Sequence, residues 1–433
     1  MEAVYLKNMK RFLQVLLTMI ALVFCSNAVL QWVAFLNLPT ELVLIKGRPQ
    51  KIDFLNPVFN ALNLGDQNIV LVNGSIAPRI LGSADGGYEF NGVNEGSSKI
   101  QVMAFGAVPV KTINLQVVPN ETIYPSGLLV GMRLQTDGLL VIETDNVKTD
   151  NGLETPGESA GIQQGDFLMG SESTKYLKID DFVKEIAESK GKYITIKIRR
   201  GKQLKDVSLQ PVKGTDGVYR AGLWLRDGIA GLGTLTFTEK QTKVFGALGH
   251  GVLDVDTNIQ LPIRSGKIYE GKILSVKKGK IGSAGEIQGV ILEDRIYGNI
   301  MINYYQGVFG KMTIVSNQEQ FKAYSSIASR YEVKDGPAEI ISDVDEIGPQ
   351  KYQCQISSIN TGSALGVKGF VITITDPLLV SKTGGIVQGM SGSPVLQNGK
   401  LIGAVTHVMV NDPLKGYGVF IDSMLKTASQ IAN

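Results

Sequence analysis

Apolar and polar positions alternate in short runs from residue 40 to 120, as in "ELVLIKG", "NIVLVNG" and "SKIQVMAFGAVPVKTINLQVVP", with Gly, Asn and Pro between the runs. A period of two is that of a strand with one buried face. Residues 39–122 are therefore expected to form a small β-sandwich-like domain, a spacer with no chemistry of its own. Strand-like runs continue at "GLLVGMRL" and "GLLVIET", and "ESAGIQQGDFLMG" reads as a turn, a short helical step and a new strand opened by Gly165-Asp166. The period then changes. In "IDDFVKEIAESKG", Ile179, Phe182, Val183 and Ile186 recur at helical spacing, and Gly191 marks the stop. "YITIKIRRGKQLKDVSLQPV" returns to strands, so 123–213 is expected to be one mixed unit. Residues 214–433 read as many short strands punctuated by glycine. Helical patterns occur near 317–330 and in the C-terminal "DSMLKTASQIAN", and paired β-barrels or a sandwich are expected.

The N-terminus departs from this pattern. Lys7, Lys10 and Arg11 precede the apolar stretch "FLQVLLTMIALVFCSNAVLQWVAFLNL" at 12–38. That length can span a bilayer, and the basic flank predicts a cytoplasmic N-terminus with all that follows exported. An uncleaved transmembrane anchor over 1–38 is favoured over cleavage at Ser26-Asn27-Ala28. The expected fold class is mainly β behind this helix.

The 433 residues carry a net charge of +3 without a long basic run, which argues against nucleic acid as the partner. The two cysteines are Cys25, inside the apolar run, and Cys354, so an internal disulfide is not expected. Only two histidines, His250 and His407, are present, and without a Cys/His cluster neither a zinc site nor another cofactor is expected.

Chemistry is concentrated in "VQGMSGSPV" at 387–395. Gly389 and Gly392 allow a sharp bend that a bulkier residue resists, and Pro394 stiffens its exit. Such a bend holds the Ser391 hydroxyl forward, and the amides of Gly389 and Ser391 can converge on an oxyanion. A serine nucleophile needs a base. His250, between glycines in "GALGHGV", is the preferred one, and His407 in "GAVTHVMV" reads as a cleft or packing residue. Asp376, closing "VITITD" ahead of Pro377, is a candidate for the orienting acid because a strand end can aim a carboxylate across a cleft; Asp254 and Asp256, close to His250, are rivals better suited to capping turns. Asp343 and Asp345 in "SDVDE" read as a solvated acidic loop.

"SAGIQQGDFLMG" and the strand order around it resemble a bacterial PDZ domain. That resemblance implies peptide capture at a sheet edge and makes Val130-Gly131-Met132 the carboxylate-binding loop. The succession of membrane segment, β-rich spacer, PDZ, "FGALGHG", "ITDP" and "TGGIVQGMSGSPVLQNGKLIGAVTHV" resembles the stage IV sporulation protein B peptidases of endospore-forming bacteria. These are serine peptidases of the trypsin-like superfamily. The resemblance implies Ser391 as nucleophile, His250 as base and Asp376 as acid. The last departs from ordinary trypsin-like enzymes, whose acid lies much further ahead of the serine. It also implies export to the space between forespore and mother-cell membranes, self-cleavage near the N-terminus, and cleavage of a membrane-bound regulator that frees an intramembrane protease to mature a sigma factor. Two rival readings remain. In an exported quality-control protease of the high-temperature-requirement class the PDZ follows the protease, whereas here it precedes it. A catalytically inactive PDZ scaffold is the other.

Overall fold

A computed structural model describes residues 38–432 apart from 54–60, 67, 76–78, 82–86, 121–122, 314–325 and 363–366, with isolated positions before 38. The expected membrane anchor and most of the 317–330 helical pattern lie outside the described residues. Among the described residues no helix is long and apolar enough to cross a membrane. The chain divides into two units, one of 1–120 with 329–332 and 360–366, the other holding the remainder.

The first unit has two sheets. Five strands run in the order Glu41–Ile45, Val108–Val118, Gly96–Ala104, Ala61–Leu64, Arg79–Leu81, and three in the order Gln50–Asp53, Gly87–Gly92, Val70–Val72. Alternate residues of both meet in one core: Leu42, Leu44, Leu62, Ile100, Val102 and Leu115 from the first, Ile52, Val70, Tyr88 and Phe90 from the second. The alternation seen in the sequence is this inward face.

The second unit contains two closed barrels. In the first, the beginning of Leu129–Thr144 pairs with Leu223–Glu239 on one side and Ile263–Lys277 on the other. Glu286–Tyr304, Gly307–Met312 and Val244–Ala247 complete the ring. Val130, Met132, Leu235, Phe245, Ile268 and Val308 fill its interior. The second barrel closes through Gly336–Ser342, Gln350–Ser357, Phe370–Ile374, Asp412–Phe420, Lys400–Met409 and Pro394–Gln397. Ile340, Tyr352, Ile372, Val395, Val405 and Phe420 form its core. The C-terminal helix is present at Ile421–Ala432.

Between the two strands that open the first barrel, the chain builds the PDZ-like unit. The strand Leu129–Thr144 serves both: residues 129–135 belong to the barrel, while 139–144 pair with Phe167–Ser171 and with 223–226. Ile194–Arg200 and Gln203–Leu209 extend that sheet. Phe182 and Ile186 of the helix Ile179–Ser189 pack against Leu139, Leu168 and Ile196. The helix starts where the Asp181 carboxylate accepts from the amides of Leu177 and Lys178, both at 2.9 Å. It ends at Lys190, whose φ of 51° leaves the helical region. The unit expected at 123–213 is therefore an insertion into a barrel, and its first strand is not its own.

Candidate active site

The Ser391 loop is held from below by the first barrel. Thr234, fully buried on Leu223–Glu239, donates its amide to the Ser391 carbonyl at 2.9 Å and its hydroxyl to the Gly389 carbonyl at 2.7 Å. The Thr234 carbonyl accepts from Leu248 of the histidine loop at 3.1 Å, so one residue ties both loops. The fit leaves no room at Gly392, where φ is +96° and a Cβ would sit 2.1 Å from the Thr234 oxygen. Met390, fully buried, anchors the loop in the second barrel's core.

These contacts orient the amides. In a trans peptide the N–H and C=O point in opposite directions. The Gln388 carbonyl accepts from Ile287 at 2.8 Å and the Met390 carbonyl from Ser393 at 2.9 Å. The amides of Gly389 and Ser391 therefore face the other way, and neither donates to a described residue. Unengaged donors beside a serine are suited to an oxyanion.

Ser391 and His250 line one cleft of about 430 Å³, together with His407, Leu232, Ile386 and Val408. The Ser391 hydroxyl donates to the Thr406 carbonyl at 2.7 Å. His250 Nδ1 lies 2.9 Å from the Gly251 carbonyl. A carbonyl only accepts, so Nδ1 carries the proton and Nε2 is free to act as base. Burial lowers the His250 pKa. The cleft walls, the adjacent His250 and the Lys368 ammonium push His407 down to about 4, although much of that residue is open to solvent.

Asp376 is elsewhere. Its carboxylate accepts from Leu378 and Leu379 at 2.9 and 3.1 Å, capping the helix Pro377–Thr383, and from Gln353 at 3.2 Å. The acid expected on His250 is a helix cap, because Asp before Pro at a strand end is also an ideal helix start. Asp254 accepts from Asp256 and Thr257 and pairs with Arg226, which also holds Asp256 at 2.8 Å. Both are loop caps. Asp343 and Asp345 are not a solvated loop: Asp343 is 7% exposed, and Asp345 pairs with Lys382.

Val130, Gly131 and Met132 form no loop. They pair with Gly233, Leu232 and Gly231 on one side and with Glu270, Tyr269 and Ile268 on the other, inside the first barrel. The PDZ-like unit instead has a groove of about 590 Å³ between its helix and the segment 219–225, with Val183, Tyr219, Leu223 and Trp224 in its walls. Residues 223–226 pair with 140–144 on one edge, and their other edge carries no strand among the described residues. Gly222 turns the chain into this edge with φ +63°, where a Cβ would meet the Asp145 carbonyl at 2.4 Å. The signal was "AGLWLRDG", which strand periodicity alone assigns to the barrel that the same strand goes on to build.

Residues 217–425, just under half of the chain, match the family model of the SpoIVB peptidase S55. This stretch is similar to the S55 serine peptidases. Solved structures with a likeness include the PDZ domain of an SdrC-like protein from Listeria monocytogenes, 19% identical over 21% of this chain and 87% of that one, with a TM-score of 0.17. The HtrA-type protease AlgW with a decapeptide is 9% identical over 71% and 64%, with a TM-score of 0.31. An inactive form of the M. tuberculosis protease Rv3671c is 11% identical over 47% and 85%, with a TM-score of 0.25. A Clostridium perfringens protein described as a zinc metalloprotease is 30% identical over 69 residues, 16% of this chain, which spans about a fifth (21%) of that protein's length. The likeness to the S55 peptidases rests on the family match. Within residues 217–425 His250 and Ser391 share the cleft, while Asp376 is engaged at a helix start outside its lining.

Proposed function

We propose that this protein is a membrane-anchored serine endopeptidase, exported to the extracytoplasmic side, that cleaves its own chain and a membrane-bound regulator of an intramembrane protease during sporulation. The family name supports the setting, and the basic-flanked apolar stretch at 12–38 supports the anchor. The observation that carries the chemistry is the meeting of Ser391, His250 and two unengaged amides in one cleft.

On substrate binding the Ser391 hydroxyl turns from Thr406 toward His250 Nε2, gives up its proton there and attacks the scissile carbonyl. The amides of Gly389 and Ser391 receive the oxyanion. His250 then protonates the leaving amine, and a water activated by His250 releases the acyl group. The PDZ-like groove takes an extended peptide as an added strand beside 223–226. No nucleic acid or cofactor enters the mechanism.

Incubating the full chain as wild type and as Ser391→Ala, with gel and mass-spectrometric readout, tests this. Fragments with new termini ahead of the PDZ-like unit are expected from the wild type. Ser391→Ala should be slower by several orders of magnitude, as nucleophile removal is elsewhere. Equal fragmentation of both removes Ser391 from its role. Two intact, folded chains that also leave a supplied membrane-protein substrate uncut favour the scaffold.

A further inference from the structure

A catalytic imidazole must be held in line with its serine, and misplacement by about 1 Å can cost on the order of 10²-fold in rate. In serine peptidases a carboxylate on Nδ1 does much of this holding. Here the Nδ1 partner is the carbonyl of the very next residue, Gly251. That bond sets the tautomer, but it lies within the histidine's own loop and cannot fix the ring against the second barrel, where Ser391 resides.

One group from the second barrel does reach the ring. His407 lies on Lys400–Met409, directly after Thr406, whose carbonyl holds the Ser391 hydroxyl. The His407 and His250 rings stack with centroids 4.7 Å apart and planes at 35°. The backing of His407 is ordered. It pairs across the sheet with Tyr417, over whose ring the Lys368 ammonium sits at 4.8 Å. Besides His250, the titratable groups around His407 are thus Lys368 and Tyr417. Two stacked imidazoles attract only while they do not both carry charge.

We infer that His407 is the positioning residue for the catalytic base, a flat aromatic face carried by the strand of the nucleophile loop, against which the His250 ring is registered to Ser391. The inference rests on the reading of Ser391 and His250 as nucleophile and base. It assigns the lateral support of the base to stacking rather than to a carboxylate. It also explains why the structure brings both histidines of the chain together.

The test uses the full chain and a fluorophosphonate, which needs no knowledge of the natural substrate. Ser391 Oγ bonds to phosphorus, the P–F bond breaks, fluoride leaves, and the serine proton passes to His250. Varying the probe concentration separates the limiting rate, kinact, from the probe affinity, KI. For His407→Ala, kinact is expected to fall about 10- to 100-fold with KI within about twofold. The acid limb of its pH profile should move up toward the ordinary histidine range, because uncovering His250 relieves the burial that lowers it. His407→Phe keeps the face without the titration and should restore kinact to within about threefold of wild type, with the limb still low. The proposal is overturned if His407→Ala labels at the wild-type rate, if Phe is no better than Ala, or if the change lies in KI alone. Labelling that persists in Ser391→Ala would instead overturn the underlying assignment of the nucleophile.

Discussion

The Thr234 hydroxyl donates to the Gly389 carbonyl at 2.7 Å, joining the strand that walls the cleft to the loop that carries Ser391. The bond crosses from one barrel to the other. Because the Thr234 amide also holds the Ser391 carbonyl and its own carbonyl holds Leu248, this residue sets the spacing between the serine and histidine loops. Thr234→Val preserves shape but leaves a buried carbonyl without its donor. Self-cleavage is expected to slow about tenfold, less than the 10²–10³ typical of losing an oxyanion donor outright, while Thr234→Ser stays near wild type. Comparing the cleavage time courses of the three proteins checks this.

Asp376 separates two accounts of the catalytic machinery. If it were the triad acid, Asp376→Asn would lower the rate about 10⁴-fold through the wrong histidine tautomer. The structure gives it the N-cap of Pro377–Thr383 instead. Asn is as good a cap, so Asp376→Asn should retain activity within a few-fold. Asp376→Ala should lose about 1 kcal/mol of stability with little change in the chemical step. Fluorophosphonate labelling rates and urea midpoints of both variants distinguish the outcomes.

The extent to which the chain could be read beforehand follows from how local each signal is. Alternation in "KIQVM" and the helical spacing of Phe182 and Ile186 are written within a few residues, and the structure places those side chains inward. The bend around Ser391 is local too. Asp376 misleads because one short stretch, Asp-Pro after a strand, satisfies both a catalytic and a capping requirement. Val130–Met132 mislead for a different reason. The strand Leu129–Thr144 takes part in a barrel and in the PDZ-like sheet at once, and its barrel partners lie about 100 residues further along, beyond any local pattern. Thr234 has no sequence signal at all: a threonine in a strand becomes informative only when two distant loops arrive on it.

Asp343 carries a pH dependence. It is 7% exposed, Leu129 reaches its Oδ2 at only 3.5 Å, and Oδ1 has no partner among the described residues. Burial, with Asp345 adding repulsion, pushes its pKa up to about 6. The folded state therefore binds a proton more readily than the unfolded one, and stability is lost as pH rises through about 4 to 6. His250 and His407 work in the opposite direction, since their lowered pKa values favour folding as pH rises, but they are unchanged between the proteins compared. Asp343→Asn removes only the carboxylate's contribution. The variant should gain on the order of 2 kcal/mol at about pH 8, and the gain should vanish near pH 4. Denaturant unfolding at the two pH values measures it. A constant difference at both would show that Asp343 does not titrate in this range.

The groove beside Ile179–Ser189 makes a prediction about binding that is independent of the chemistry. Val183 is 56% exposed although it sits at a core-like helical position, and it lines the groove opposite Leu223 and Trp224. An apolar helix position left open beside an unpaired strand edge is suited to the side chain of an added peptide strand. Val183→Glu puts a charge there without touching Phe182 or Ile186, so the unit should fold normally. Trp224, 60% exposed, is positioned to report binding through its fluorescence. A peptide with an apolar C-terminus should shift that emission in the wild type and bind at least about tenfold more weakly to Val183→Glu. Fluorophosphonate labelling of Ser391 should be the same in both proteins. Equal peptide affinity in the two would remove Val183 from the binding surface. A parallel loss of labelling would mean that the groove and the cleft are coupled, and the strand Leu223–Glu239, which lines both, would be the element to test next.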